Sequence, residues 1–145
     1  MKKQFFETEK DGFYGIYYEN PKVSDCAVIG LFGDDPNDYM AKCGARWLCK
    51  IGVNVLCMSP GKKNYSHVNY PLERIETAIT WLKNHGSRKI GIVGMSTAGM
   101  DALVAASLFP DITLTFGLTP SDFVWQGFEQ GNKDGCKEWP VPGAS

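Results

Sequence analysis

The sequence holds no apolar run of the ~18 residues that a membrane-crossing helix needs, and no excess of charge of either sign. Its 15 Lys and Arg against 16 Asp and Glu leave a net charge of -1. That balance removes the electrostatic reason to expect nucleic acid or an anionic membrane as a partner. The opening "MKKQFFETEKDGF" turns acidic and polar after two aromatics, so it has no signal-peptide core, and the expected compartment is the cytoplasm. The five cysteines lack a C-x-x-C spacing and a nearby histidine pair, so neither a zinc site nor a disulfide framework is supported. Cys26 and Cys57 lie in apolar strand-like runs and Cys43 on an apolar helix stripe, the setting of reduced, packed thiols. No metal and no cofactor are expected. Histidine is the scarcest titratable type: His67 and His85 are the only two.

What is present is a regular alternation of strand and helix patterns. A chain of 145 residues, 43% of them hydrophobic, suits one domain with a real core. "KQFFET" and "FYGIYYE" read as an antiparallel hairpin turning at "EKDG". "CAVIGLFG" is then almost wholly apolar, as a strand buried on both faces of a parallel sheet must be. A helix is expected from Asp38 to Ile51, with Met40, Cys43, Trp47, Leu48 and Ile51 as its inward stripe. "GVNVLCMSP" is a second buried strand. Pro71 opens the next helix, with Leu72, Ile75, Ala78, Ile79 and Leu82 facing inward and Gly86 at its end. "KIGIVGM", the helix "TAGMDALVAASLF" and the strand "ITLTFGLTP" complete the series. Such alternation implies right-handed crossovers and a three-layer α/β architecture on a mainly parallel sheet. Residues 121–145, rich in Gly and Pro and without periodicity, read as an irregular tail to this single domain.

The most informative stretch is Gly94-Met95-Ser96-Thr97-Ala98, followed by Gly99. It fits G-x-S-x-[GA], a pattern that chance alone supplies in about one chain in ten of this length. The buried strand before it and the helix after it carry the signal. A nucleophile on so sharp a corner takes a strained backbone, so the residues two before and two after it must be small. Ser96 would then stand at the carboxyl end of a central strand, where open parallel sheets bind ligands. The Thr97 N–H at the helix start would stabilise an oxyanion, and an N–H in the loop after "CAVIGLFG", best placed at Asp34, would supply the second donor. The blander alternative is a serine that only caps its helix, with Asp34 and Asp35 capping the helix near Asn37.

On these residues the chain resembles the α/β-hydrolase fold. More narrowly, "GVNVLCMSPG", "KIGIVGMSTAG" and "TLTFGLTPSDFVWQGF" resemble the C-terminal catalytic domain of the acyl-CoA thioesterase and bile acid-CoA:amino acid N-acyltransferase family, over residues 13 to 128. The resemblance implies a serine nucleophile, Ser96, that attacks a thioester carbonyl and passes the acyl group to water or an amine. It implies an acyl-CoA or another ester or thioester as substrate. The sequence shows "GDDPND" where that family has a glycine-rich stretch.

In that fold the acid and the histidine follow the nucleophile, yet both histidines here precede Ser96. His85 sits at a helix end, where an imidazolium suits the dipole. His67, in the loop after "GVNVLCMSP", is the candidate base within the chain; Asp101, Asp111, Asp122 and Asp134 are candidate acids. Lys62 and Lys63 in the same loop would meet the phosphates of a coenzyme A ester, or simply be solvated. The expectation is an N-terminal part of a longer hydrolase, cut short after its sixth strand and weak or inactive alone. A dienelactone-hydrolase-like esterase and a non-catalytic binding remnant are the alternatives. The last strand would leave an open, apolar edge around Phe109, Phe116, Phe123, Val124 and Trp125, expected to be closed by self-association, with the "PSDFVWQGF" tail folding back over it as the alternative.

Overall fold

Continuous apolar runs become buried strands here, and the small-residue helices between them lie close on the sheet. In the computed structural model, which describes residues 1–33, 35–59, 70–122 and 124, the strands are β1 (Lys2–Phe6), β2 (Gly15–Glu19), β3 (Cys26–Leu31), β4 (Asn54–Met58), β5 (Lys89–Met95) and β6 (Ile112–Leu118). The helices are α1 (Thr8–Asp11), α2 (Tyr39–Lys50), α3 (Glu73–Asn84) and α4 (Thr97–Leu108). The strands form one sheet in the order β1-β2-β4-β3-β5-β6. β2 runs antiparallel to both β1 and β4, whereas β4, β3, β5 and β6 run parallel to one another. The α/β class, the parallel centre and the N-terminal antiparallel pair therefore stand as expected.

Three local expectations need correction. The N-terminal pair is not joined by a tight turn at "EKDG". Instead α1 makes one helical turn there, closed by the Asp11 carboxylate accepting from the Glu7 N–H at 2.8 Å and by Gly12 at φ 82°. α3 begins at Glu73, because Pro71 and Leu72 form the turn before it, with their carbonyls accepting from Arg74 and Ile75. The largest difference is in α2. Its buried residues are Ala41, Ala45 and Leu48, while Met40, Trp47 and Ile51 are exposed. Small side chains let the helix approach the sheet, so the larger hydrophobes were displaced to its flank.

Two core layers result. On one face, Ile29, Leu31, Leu56, Ile90 and Ile92 pack with Ile75 and Leu82 of α3 and Ala102 and Ala105 of α4. On the other, Ile16, Tyr18, Val55 and Cys57 pack under α2. Burying a Leu or Ile side chain is worth about 1.5–3 kcal/mol, so these layers dominate the stability. Cys57 belongs to its layer as a thiol, its Sγ 3.6 Å from the Ala41 carbonyl and its pKa pushed up to about 12 by burial. Cys26, Cys43 and Cys49 are free and half-buried. No helix among the described residues is long and apolar enough to cross a membrane.

Candidate active site

Between β5 and α4 the chain turns within a single residue. Ser96 has φ 56° and ψ -125°, a conformation that costs an L-residue about 1–3 kcal/mol. The turn is held from both sides. The Ser96 N–H donates to the Leu118 carbonyl at the end of β6 (2.8 Å), and the Ser96 carbonyl accepts from Gly99 (2.9 Å) and Met100 (3.2 Å). The side chain itself makes no capping hydrogen bond and is exposed. The blander reading of Ser96 as a helix cap is thereby removed.

The neighbours of Ser96 are small and closely packed. A Cβ on Gly94 would run into the Ala98 carbonyl, so the residues two before and two after Ser96 touch through their main chains. Ala98 is buried, and Gly99 lies against the Gly94 and Leu118 carbonyls and the Pro120 ring. Thr97, the first residue of α4, is buried, and its N–H stands at the positive end of the helix beside Ser96.

The other expected site residues divide into those the structure locates and those it does not. Asp34, Lys62, Lys63 and His67 lie outside the described residues, as do Phe123, Trp125 and Asp134. The Asp35 carboxylate accepts from the Asn37 N–H at 2.8 Å, and α2 is capped by Asp38, whose carboxylate accepts from the Ala41 N–H at 2.8 Å. His85 is not a base for Ser96. It lies at the amino end of the sheet, stacked on Trp81 at 3.8 Å with Nδ1 2.8 Å from the Trp81 carbonyl. It lines a cleft of about 600 Å³ with Asn20, Asp25 and Asn54. The seven residues of β5 separate that end from Ser96, a distance of roughly 20 Å.

Of the candidate acids, Asp111 is held by Lys83 at 2.7 Å, on the amino side of β6, and Asp122 is exposed beyond β6. Asp101 is different. It is buried on α4, five residues after Ser96, with its Oδ2 unpartnered among the described residues. Burial alone pushes its pKa up to about 7. The Tyr70 hydroxyl is likewise buried and without a partner among the described residues. Its pKa is raised first by burial, and the Asp101 charge adds to this while Arg74, which lies over the Tyr70 ring, opposes it. Asp101 is one of the four candidate acids that follow Ser96 in the sequence. Tyr70 carried no such signal. Among the described residues no cluster of His, Cys, Asp and Glu is arranged to hold a metal ion.

No protein-family model matches the chain, and no curated protein matches it in sequence. Solved structures do. The Pyrococcus furiosus esterase Pf2001 is 25% identical over 74% of this chain, with a TM-score of 0.60. Est1E from Butyrivibrio proteoclasticus is 20% identical over 81%, with a TM-score of 0.60, and the α/β hydrolase GrgF from Penicillium sp. sh18 is 19% identical over 82%, at 0.65. The fold is that of the α/β-hydrolases, and Ser96 occupies the strand-to-helix corner between β5 and α4. The chain spans 45% of Pf2001, 51% of Est1E and 45% of GrgF, about half the length of each of these three.

Proposed function

We propose that the chain carries the nucleophile part of an ester- or thioester-cleaving hydrolase, with Ser96 attacking the acyl carbonyl. One observation carries the reading: an exposed serine at φ 56° on a one-residue corner, at the carboxyl edge of a parallel sheet. A residue held at that cost with its hydroxyl free points to function rather than packing. Attack by Ser96 Oγ forms a tetrahedral intermediate whose oxyanion the Thr97 N–H faces; collapse expels the alcohol or thiol and leaves an acyl-serine. Water or an amine then takes the acyl group. The likeness to the esterase Pf2001 favours oxygen esters, and the resemblance to the acyl-CoA thioesterase family favours thioesters.

No described side chain stands where it would take the Ser96 proton, and a positioned base contributes typically 10²–10⁴-fold. The chain alone is therefore expected to acylate slowly and to turn over poorly, on the strength of the oxyanion donor. The test is incubation with a p-nitrophenyl ester and with an acyl-CoA, followed by peptide mass spectrometry. An acyl group on Ser96, absent from Ser96→Ala, supports the proposal. Acylation elsewhere, or none with either donor, overturns it. Rapid turnover of the acyl-CoA that is lost in Ser96→Ala would assign the base to this chain, with His67 as the histidine to substitute next.

A further inference from the structure

Side-chain direction along β6 follows from its register. Beyond the irregularity at Ile90/Gly91, Leu114 pairs with Gly91, Phe116 with Val93 and Leu118 with Met95. Val93 packs with the layer under α2, and residues paired across a parallel ladder point to the same face. Leu114, Phe116 and Leu118 therefore lie on the α2 face, while Thr115 and Gly117 lie towards α4. Helix α2 covers β2, β3 and β4 on that face, and α4 packs on β5 and β6 from the opposite one.

The exposed flank of α2 borders the same opening. Lys42 and Arg46 line a small hollow with Met1, Lys3 and Tyr18, so that flank faces β1 and β2. At 100° per residue, Met40, Gly44, Trp47 and Ile51 fall on the other flank, towards β3 and β5. A Cβ on Gly44 would strike the Phe32 ring, which follows β3, as this placement requires. Met40, Trp47, Ile51, Leu114, Phe116 and Leu118 thus bound one trough, each of them 41–69% exposed. Phe109, expected at this opening, packs against the opposite core instead.

We propose that this trough is the interface of a two-fold dimer, bare face against bare face. The six side chains offer on the order of 600 Å² per copy, against about 800 Å² per partner in a standard interface. That is at the upper limit of the apolar patch a monomer tolerates. The six carry no charge, so apposition of the trough with itself meets no like-charge repulsion among them, which a two-fold contact otherwise enforces. β6 has no neighbour on its outer side among the described residues, and between Ile112 and Leu118 it has no charge or proline to guard that edge.

Sedimentation velocity at micromolar concentration tests the proposal, with circular dichroism as the check on folding. The wild-type chain is expected to sediment at twice its own mass. Phe116→Glu on β6 and Trp47→Gln on α2, both at exposed positions, are each expected to weaken the dimer about tenfold or more. Leu103→Glu, exposed on α4, is expected to leave it unchanged. A wild-type monomer throughout the range overturns the proposal, as it would if the chain's own residues 125–145 covered the trough. So does an assembly indifferent to Phe116→Glu and Trp47→Gln, or equally sensitive to Leu103→Glu. An assembly broken by Phe116→Glu but not by Trp47→Gln means pairing through the β6 edge alone, and also overturns it. If Phe116→Glu does not fold, Trp47→Gln decides.

Discussion

On one face of the sheet α3 and α4 lie over β3, β4, β5 and the start of β6, and Ile29, Leu31 and Leu56 have no exposure at all. On the other face α2 covers the first half of the sheet, and Leu114, Phe116 and Leu118 stand open beyond it. The same kinds of residue, on strands of one sheet, are core on the first face and surface on the second. Apolarity of a strand therefore reports that it wants cover. It does not report that this stretch of chain supplies the cover.

The largest consequence is in stability. Ile29→Ala empties a fully enclosed site and is expected to cost about 2–5 kcal/mol. Phe116→Ala removes a larger side chain, yet one that is 57% exposed in the single chain, and is expected to cost less than about 1 kcal/mol. Urea unfolding of the two variants under conditions where the chain is monomeric measures the contrast. Equal losses would mean that the second face is covered after all.

The same contrast explains what the sequence disclosed. Strand positions were legible because a strand buried on both faces must be almost wholly apolar, as "CAVIGL" is and as "NVLCM" is after Asn54. The inward side of α2 was not legible. Close approach to the sheet selects small residues, Ala41 and Ala45, so ranking by hydrophobic size picked out Met40 and Trp47, which border the trough. In α4 the same requirement places Ala98, Ala102 and Ala105 inward. Ser96 was legible because its corner tolerates few neighbours, and Gly94 and Ala98 record that steric demand locally. The proximity of Tyr70 to Asp101 depends on where the turn before α3 meets α4, a tertiary fact that neither local pattern contains.

Asp101 sharpens the comparison because its pKa gauges how dry the covered side is. Unfolded, its carboxyl titrates near 3.8; folded, burial raises it to about 7. Between those values the native chain holds a proton that the unfolded chain has released. This contribution is therefore fully present below about pH 4 and is lost as pH rises through 7. A shift of that size corresponds to roughly 2–4 kcal/mol. Asp101→Asn has no proton to lose, so its stability relative to wild type should rise by that order between about pH 4 and pH 8. Denaturant midpoints at the two pH values give the difference directly. Parallel profiles for variant and wild type would show that water reaches Asp101 and Tyr70.

The smallest effect concerns the corner itself. Ser96 is held at φ 56° by the covered side: its N–H is tied to the Leu118 carbonyl, and buried Ala98 presses its own carbonyl against Gly94. If that packing imposes the conformation, removing the Cβ relieves the strain, worth about 1–3 kcal/mol. The greater freedom of an unfolded glycine takes back about 0.5–1 kcal/mol. Ser96→Gly is thus expected to be more stable than wild type by about 1 kcal/mol, whereas Ser96→Ala keeps its Cβ and should match wild type within about 0.5 kcal/mol. Both variants lack the hydroxyl and both should fail to take an acyl group, so the pair separates strain from chemistry. Equal midpoints for Ser96→Gly and Ser96→Ala would mean that the corner relaxes in solution. The covered face would then be too loosely packed around Ala98 and Gly99 to hold the proposed nucleophile in place.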